Sequence, residues 1–264
     1  MIQSLAYIHP EAKIADNVVV EPFVTIHKDV VIGEGTWIGS NVTIMDGARI
    51  GKNCRIFPGA VISGIPQDLK FEGEVTTAEI GDNTTIRECV TVNRGTKDKW
   101  KTVIGSNCLI QAYCHIAHDC FVGDHCIFSN NSTLGGHITV GDYVVLAGMV
   151  AVHQFCHIGS HSFVAGGSLV RKDVPPFVKA AREPLSYAGV NSVGLRRRGF
   201  TPSQINEIQD IYRVLFVKNT NLSKALDIIE TEYKPTEIRD EILDFIRNSN
   251  RGVMKGFGHV RAMS

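Results

Sequence analysis

His118, Gly136 and Gln154 follow one another at intervals of eighteen residues, and Asp119 and His137 keep the same interval one position further along. His115 precedes His118 by three residues, and His153 directly precedes Gln154. Imidazoles exchange protons near neutral pH, so such a group can do acid–base work on a substrate. Histidines gathered at one place can also hold zinc. Either chemistry requires that the interval of eighteen brings these residues together, which a structural repeat of that period would do by stacking them on successive turns.

The elements that supply such a period run through most of the chain. From Ile8, a large apolar residue recurs every six positions through Ile14, Val20, Ile26, Ile32, Ile38, Ile44, Ile50 and Ile56 to Ile62. The series resumes at Ile80, Ile86 and Val92, and a third block runs without interruption from Ile104 to Val170. A helical stripe recurs at about 3.6 residues and a heptad at about 3.5, so this is neither. Two positions before the large residue sits a smaller one, as at Val18, Val24, Val30, Cys108, Cys114 and Cys120. Residues i and i−2 of a strand face the same side, so each hexad reads as one short strand with a large and a small residue turned inward. Glycine often follows the large residue, as at Gly105, Gly123 and Gly141, where a corner has no room for a side chain. Three such strands close a triangular coil of eighteen residues, and stacked coils lie about 4.8 Å apart. His118, Gly136 and Gln154 then occupy one corner column, Asp119 and His137 the next, and the whole forms an outward ridge.

Two segments interrupt the repeat, Ser63 to Glu79 and Arg94 to Thr102, and their polar character marks loops thrown out from corners. The repeat stops at Lys172-Asp173-Val174-Pro175-Pro176, because proline cannot donate to a strand ladder. After a linker the period becomes helical. Thr201-Pro202-Ser203-Gln204 reads as a cap before an amphipathic stretch from Ile205 to Val217, with further helices around Leu222 to Tyr233 and Thr236 to Arg247. The expected organisation is a β-helix over residues 1–190, with inserted loops 63–79 and 94–102, and a C-terminal helical domain over 191–264.

Lys+Arg and Asp+Glu both number 27, so no global charge calls for nucleic acid or an anionic membrane surface. Any basic site is local, and Arg196-Arg197-Arg198, with Arg171 and Lys172, is the candidate. No basic stretch followed by an apolar run opens the chain, and no window is apolar enough to span a bilayer, which points to the cytoplasm and no stable membrane insertion. Six of the seven cysteines fall on the inward small-residue position, where a free thiol acts as a small hydrophobe, and no CxxC pair suggests structural zinc.

Several motifs carry more specific information: Gln67-Asp68-Leu69-Lys70, Asn93-Arg94-Gly95-Thr96, His115-Ile116-Ala117-His118-Asp119-Cys120, Gly135-Gly136-His137, Ala151-Val152-His153-Gln154-Phe155, Gly189-Val190-Asn191 and Arg197-Arg198-Gly199-Phe200. Together they resemble the acyl carrier protein–UDP-N-acetylglucosamine O-acyltransferases of lipid A synthesis, over nearly the whole chain. The resemblance implies an all-β left-handed parallel β-helix of hexapeptide repeats with C-terminal helices; the general crossover rule alone would have suggested right-handed winding. It implies transfer of an (R)-3-hydroxyacyl chain from acyl carrier protein to the 3-hydroxyl of UDP-N-acetylglucosamine by a homotrimer, with no metal and no cofactor beyond the donor's phosphopantetheine arm. His118 would be the general base, Asp119 its orienting partner, and the Gly136 N–H the oxyanion donor. Asp68, His115, His137, His153 and Gln154 would contact sugar or acyl group, Asn191, Arg197 and Arg198 the nucleotide or donor arm, and Gly166 the acyl groove. Two positions depart from the family pattern: Val193 replaces a Glu that contacts the nucleotide in many relatives, and Pro184 replaces a His that helps end the acyl groove. The competing readings are another hexapeptide acyl- or acetyltransferase acting on a nucleotide sugar or its 3-amino analogue, a γ-type carbonic anhydrase with zinc on the ridge, and a purely structural repeat protein.

Overall fold

The computed structural model describes residues 4–218 and 221–256. Every hexad forms a short strand, and every third strand pairs in parallel, which produces three walls of a left-handed parallel β-helix. The first wall begins with Tyr7–Ile8, the second with Lys13–Ile14 and the third with Val19–Val20. In the uninterrupted block the register is eighteen residues, as in His115↔Thr133 and Ile116↔Leu134. Where the loops intervene it widens, to Val61↔Thr91 across the first and Ile80↔Ile104 across the second. The inward large residues Ile26, Ile44, Ile62, Ile86, Ile110 and Ile116 are fully buried, so the core is a column of apolar rungs shared by all coils.

Corners are tight because one residue in each takes a left-handed conformation, including Asn41, Asn131, Asp119 and His137. Asn and Asp tolerate this region better than other non-glycine residues. Glycine serves the close approach of coils: a Cβ on Gly123 would lie 2.3 Å from the Asp142 carboxylate on the next coil.

The inserted loops are shorter than the sequence suggests. Strands Val61–Gly64 and Thr77–Ile80 narrow the first to 65–76, and Thr91–Asn93 and Lys101–Ile104 narrow the second to 94–100. Ala78 and Thr102 take the small inward position two residues before Ile80 and Ile104 and are completely buried, so pairing continues into segments whose composition looks like loop. The linker after the prolines is also structured. Val178–Ala181 adds in parallel to Phe163–Val164 on the third wall, and Ser186–Val190 pairs with it antiparallel. Helix α1 spans Ser192–Arg197, too short for its period to show in sequence. Helix α2, Pro202–Arg213, begins with the reciprocal Thr201–Gln204 capping box and runs into a π-helical turn, Val214–Lys218. Helices α3, Leu222–Glu232, and α4, Glu237–Arg247, complete the bundle. The fully buried Tyr212 donates its hydroxyl to the Pro176 carbonyl at 2.7 Å and docks α2 on the end of the coil. Residues 257–264 of the expected helical domain lie outside the described residues.

Cys54, Cys108, Cys114, Cys120, Cys126 and Cys156 are buried and Cys89 is exposed. The Cys120 thiol donates to the Gly135 carbonyl of the next coil at 3.1 Å, and burial pushes it up to about 12, so it packs rather than reacts. Cys120→Ala is expected to lower unfolding stability by about 1–2 kcal/mol through a small cavity and one lost weak hydrogen bond, while leaving activity intact. Denaturant midpoints measured with activity assays on the same samples check this.

Candidate active site

The edge between the first and second walls carries His118, Asp119, Gly136, His137, His153, Gln154 and Phe155, as the interval of eighteen requires. It is not the open ridge the spacing suggests. Asp119 is 1% exposed and the His118 side chain 12%, because the second inserted loop folds back over them. Asp119 Oδ1 accepts from the backbone N–H groups of Thr96 at 2.9 Å and Lys99 at 3.2 Å. Its Oδ2 accepts from the Thr96 hydroxyl at 2.6 Å and faces His118 Nδ1 at 2.8 Å. Burial pulls the Asp119 carboxyl upward, but the hydrogen bonds from His118 and Thr96 outweigh it and hold the group at about 2. An ionised carboxylate only accepts, so His118 Nδ1 carries the hydrogen, and in the neutral ring Nε2 is left with the lone pair.

Gly136 stacks on His118 one coil later: a Cβ there would lie 2.6 Å from His118 Cε1 and 2.8 Å from Nε2. Among the described residues, no hydrogen bond uses the Gly136 N–H. The His137 ring crosses that of His118 edge to face at 5.0 Å, stacks on Phe155 at 4.5 Å, and sets Nδ1 3.0 Å from the Asp98 carboxylate. His115, on the first wall, approaches the Thr91 hydroxyl at 2.7 Å; burial, with the neighbouring His118, lowers its basicity. His153 and Gln154 are exposed, Gln154 one coil beyond Gly136. Asp68 reaches this edge on the first loop, lining a cavity of about 260 Å³ with Lys70, Thr96, His137 and Phe155. A larger cavity of about 540 Å³ lies beyond, bounded by Asp119, His137, His157, Asp173 and Arg251.

The other expected site residues sit elsewhere on the prism. Asn191 caps α1 at the edge between the second and third walls, where its side-chain amide donates to the His161 carbonyl at 2.9 Å and its oxygen accepts from the Gly194 N–H at 3.3 Å. Arg198 lies over the Tyr143 ring at 5.2 Å on the same edge, half-buried, and burial lowers its basicity. His161 beneath is driven down to about 4 by burial and by Arg198. Arg196 and Arg197 are exposed, whereas Arg171 pairs with Glu183 and Lys172 with the Arg251 carbonyl. Gly166 lies on the third edge, stacked on Gly148. One chain therefore brings His118, Asp119, Gly136, His137 and Asp68 together, but not Asn191, Arg197, Arg198 or Gly166.

Thr96 stands in the Asn93–Thr96 motif with no role assigned to it by the sequence, and Asp98, Lys99 and Arg251 are not legible there as site residues at all. The break in the hexads locates the second loop, but nothing in the spacing says that it folds onto Asp119. His118, Asp119 and His137 bring ligand-capable atoms within 4.8 Å of one another. The Asp119 oxygens, however, are already engaged by four donors, an arrangement suited to orienting a base rather than to binding a cation.

A hexapeptide coil bearing an oriented imidazole and an open backbone N–H at one edge defines the class, a hexapeptide-repeat acyltransferase. Residues 29–64 and 101–136 match the bacterial transferase hexapeptide family, and residues 173–254 match the second domain of UDP N-acetylglucosamine O-acyltransferase. The acyl-[acyl-carrier-protein]–UDP-N-acetylglucosamine O-acyltransferase of Xylella fastidiosa is 45% identical over 97% of this chain and 98% of its own length, and that of Xanthomonas oryzae 47% over 97% and 98%. The solved UDP-N-acetylglucosamine acyltransferase of Bacteroides fragilis is 48% identical, with a TM-score of 0.95 over 97% of this chain and 100% of that one. The Arabidopsis acyltransferase superposes with a TM-score of 0.84 at 36% identity, over 97% and 100%. The chain belongs to the family of acyl-[acyl-carrier-protein]–UDP-N-acetylglucosamine O-acyltransferases.

Proposed function

We propose that this enzyme moves an (R)-3-hydroxyacyl chain from acyl carrier protein to the 3-hydroxyl of UDP-N-acetylglucosamine, the opening step of lipid A synthesis, in the cytoplasm. The observation that carries the mechanism is the His118 imidazole tied through Nδ1 to a buried, ionised Asp119, with Nε2 turned toward Gly136. A sugar hydroxyl is a poor nucleophile near neutral pH. Nε2 takes its proton as the oxygen attacks the thioester carbonyl, and Asp119 stabilises the imidazolium that results. The developing oxyanion meets the Gly136 N–H, and the absence of a side chain there lets it approach. The imidazolium then returns its proton to the departing phosphopantetheine thiolate. Asp68, His115, His137, His153 and Gln154 hold the sugar and the acyl carbonyl on this edge. No metal or cofactor is needed for these steps.

Asn191, Arg197, Arg198 and Gly166 serve the same reaction from a neighbouring copy. A wall is one hexad wide, at most about 20 Å, so edges of one prism do not converge. Three copies with neighbouring edges side by side complete each site. Light scattering should return three times the 28.9 kDa chain mass, and a monomer with full activity would contradict the assembly. The activity itself is tested by incubating the protein with UDP-N-acetylglucosamine, its 3-amino analogue and a panel of acyl carrier protein thioesters, and identifying products by mass spectrometry. An ester-linked 3-hydroxyacyl product supports the proposal, and amide formation alone refutes it.

Gly166 is proposed as part of the acyl groove. The nearest atoms to a Cβ there would be the Gly148 carbonyl oxygen at 3.1 Å and Ala147 Cβ and the Gly148 nitrogen at 3.8 Å, so a side chain added at this edge would occupy space the acyl chain is proposed to use. Gly166→Met is therefore expected to shift donor preference toward shorter chains, and an unchanged donor profile would remove Gly166 from the groove.

A further inference from the structure

The second inserted loop is bound into the acid–base pair rather than laid over it. Thr96, 6% exposed, gives Asp119 two hydrogen bonds, from its backbone N–H to Oδ1 and from its hydroxyl to Oδ2. The hydroxyl and His118 Nδ1 thus share one carboxylate oxygen. The loop is itself anchored. The Gly95 carbonyl accepts from the Thr76 hydroxyl at 2.6 Å, and a Cβ on Gly95 would lie 2.2 Å from the Lys101 backbone nitrogen, so only glycine allows the chain to close this tightly. Lys97 reaches across to the first loop, its N–H meeting Glu74 at 3.0 Å and its ammonium Glu72 at 3.2 Å.

We propose that Thr96 is a positioning residue for the acyl transfer, setting through Asp119 the orientation and the basicity of the His118 imidazole. This rests on the reading of His118 as the base. A carboxylate held at both oxygens cannot rotate, so its remaining acceptor direction on Oδ2 points at Nδ1 and fixes the ring. The hydroxyl also draws charge from the oxygen it shares with His118. Removing it leaves more negative charge facing the ring, which favours imidazolium. The other titratable groups around the pair are His115, His137 and His157 on the coils, Asp98 and Lys99 on the loop, and Asp173 and Arg251 across the larger cavity. None of them changes in the comparison that follows.

The test compares full-length wild type with Thr96→Val and Thr96→Ser, after hydrodynamic mass and circular dichroism confirm assembly. Thr96→Val is expected to lower kcat by about tenfold or more, with KM for both substrates changed by less than about threefold. The acid limb of its kcat/KM profile moves to higher pH, and Thr96→Ser restores both kcat and limb. In an Asp119→Ala background the Thr96→Val change adds no further loss, because the two act through one contact. If Thr96→Val fails to assemble, Thr96→Ala carries the same comparison. A folded variant lacking the hydroxyl with wild-type kcat and an unmoved limb, beside an inactive His118→Ala, overturns this inference alone. A His118→Ala enzyme that keeps its turnover overturns the base assignment and this inference with it.

Discussion

His118→Ala should assemble normally and turn over more slowly by roughly 10²–10⁴ in kcat, the loss expected when a general base is removed. The ring lies outside the column of buried apolar rungs, and its contacts are with Asp119, His137 and the face of Gly136, so its removal leaves the core packing in place. KM for UDP-N-acetylglucosamine should change far less than kcat, since the proton moves only as the transition state forms. In the wild type, kcat/KM should fall on the acid side, as expected for a reaction that needs an unprotonated general base. That limb should vanish from the residual activity of the variant. A correctly folded His118→Ala assembly with near-normal turnover would reopen the assignment of the whole edge.

Gly136→Ala should be almost as damaging, through one added methyl group. Gly136 is not in the left-handed region, so alanine carries no backbone penalty there. The new Cβ would instead fall within 2.6–2.8 Å of the His118 ring, which must swing away from Asp119 or push the coils apart. It would also crowd the edge on which the Gly136 N–H is proposed to receive the oxyanion. Loss of an oxyanion donor alone costs roughly 10²–10³ in kcat, and displacement of the base adds to it. The expected signature is a stability close to wild type by thermal unfolding with a collapse of kcat. Undiminished turnover would mean that the transition state forms elsewhere.

The stacking of His118 on Gly136 was legible in the residues because the third block of hexads is unbroken, and a constant register of eighteen turns spacing into position. The same constancy marks the six inward cysteines, though not the exposed Cys89, as packing residues. What escaped is whatever the register does not govern. The widened pairings around the two loops place Ala78 and Thr102 in strands, yet no arithmetic reveals that Thr96 and Lys99 bury Asp119. The hairpin Val178–Ala181 and Ser186–Val190 repeats nothing upstream, and its pairing depends on the exposed end of the third wall. Helix α1 holds a single buried side chain, Leu195, too little for a period. The motif resemblance supplied Asp68, which the structure sets beside His137, and the two arginines, which the structure sets on another edge.

That division of labour among edges has a genetic consequence. If each site is completed between neighbouring copies as proposed, with His118 on one edge and Arg198 on another, two inactive alleles struck at different edges are expected to complement each other. A mixed assembly would then pair the sound base edge of one product with the sound arginine edge of the other and recover a working site. Two lesions on the same edge leave no such pairing and stay silent together. In a cell carrying one sound and one base-edge-damaged copy, each damaged chain would then remove one site from its assembly rather than all of them, and output should fall in proportion to dose instead of collapsing.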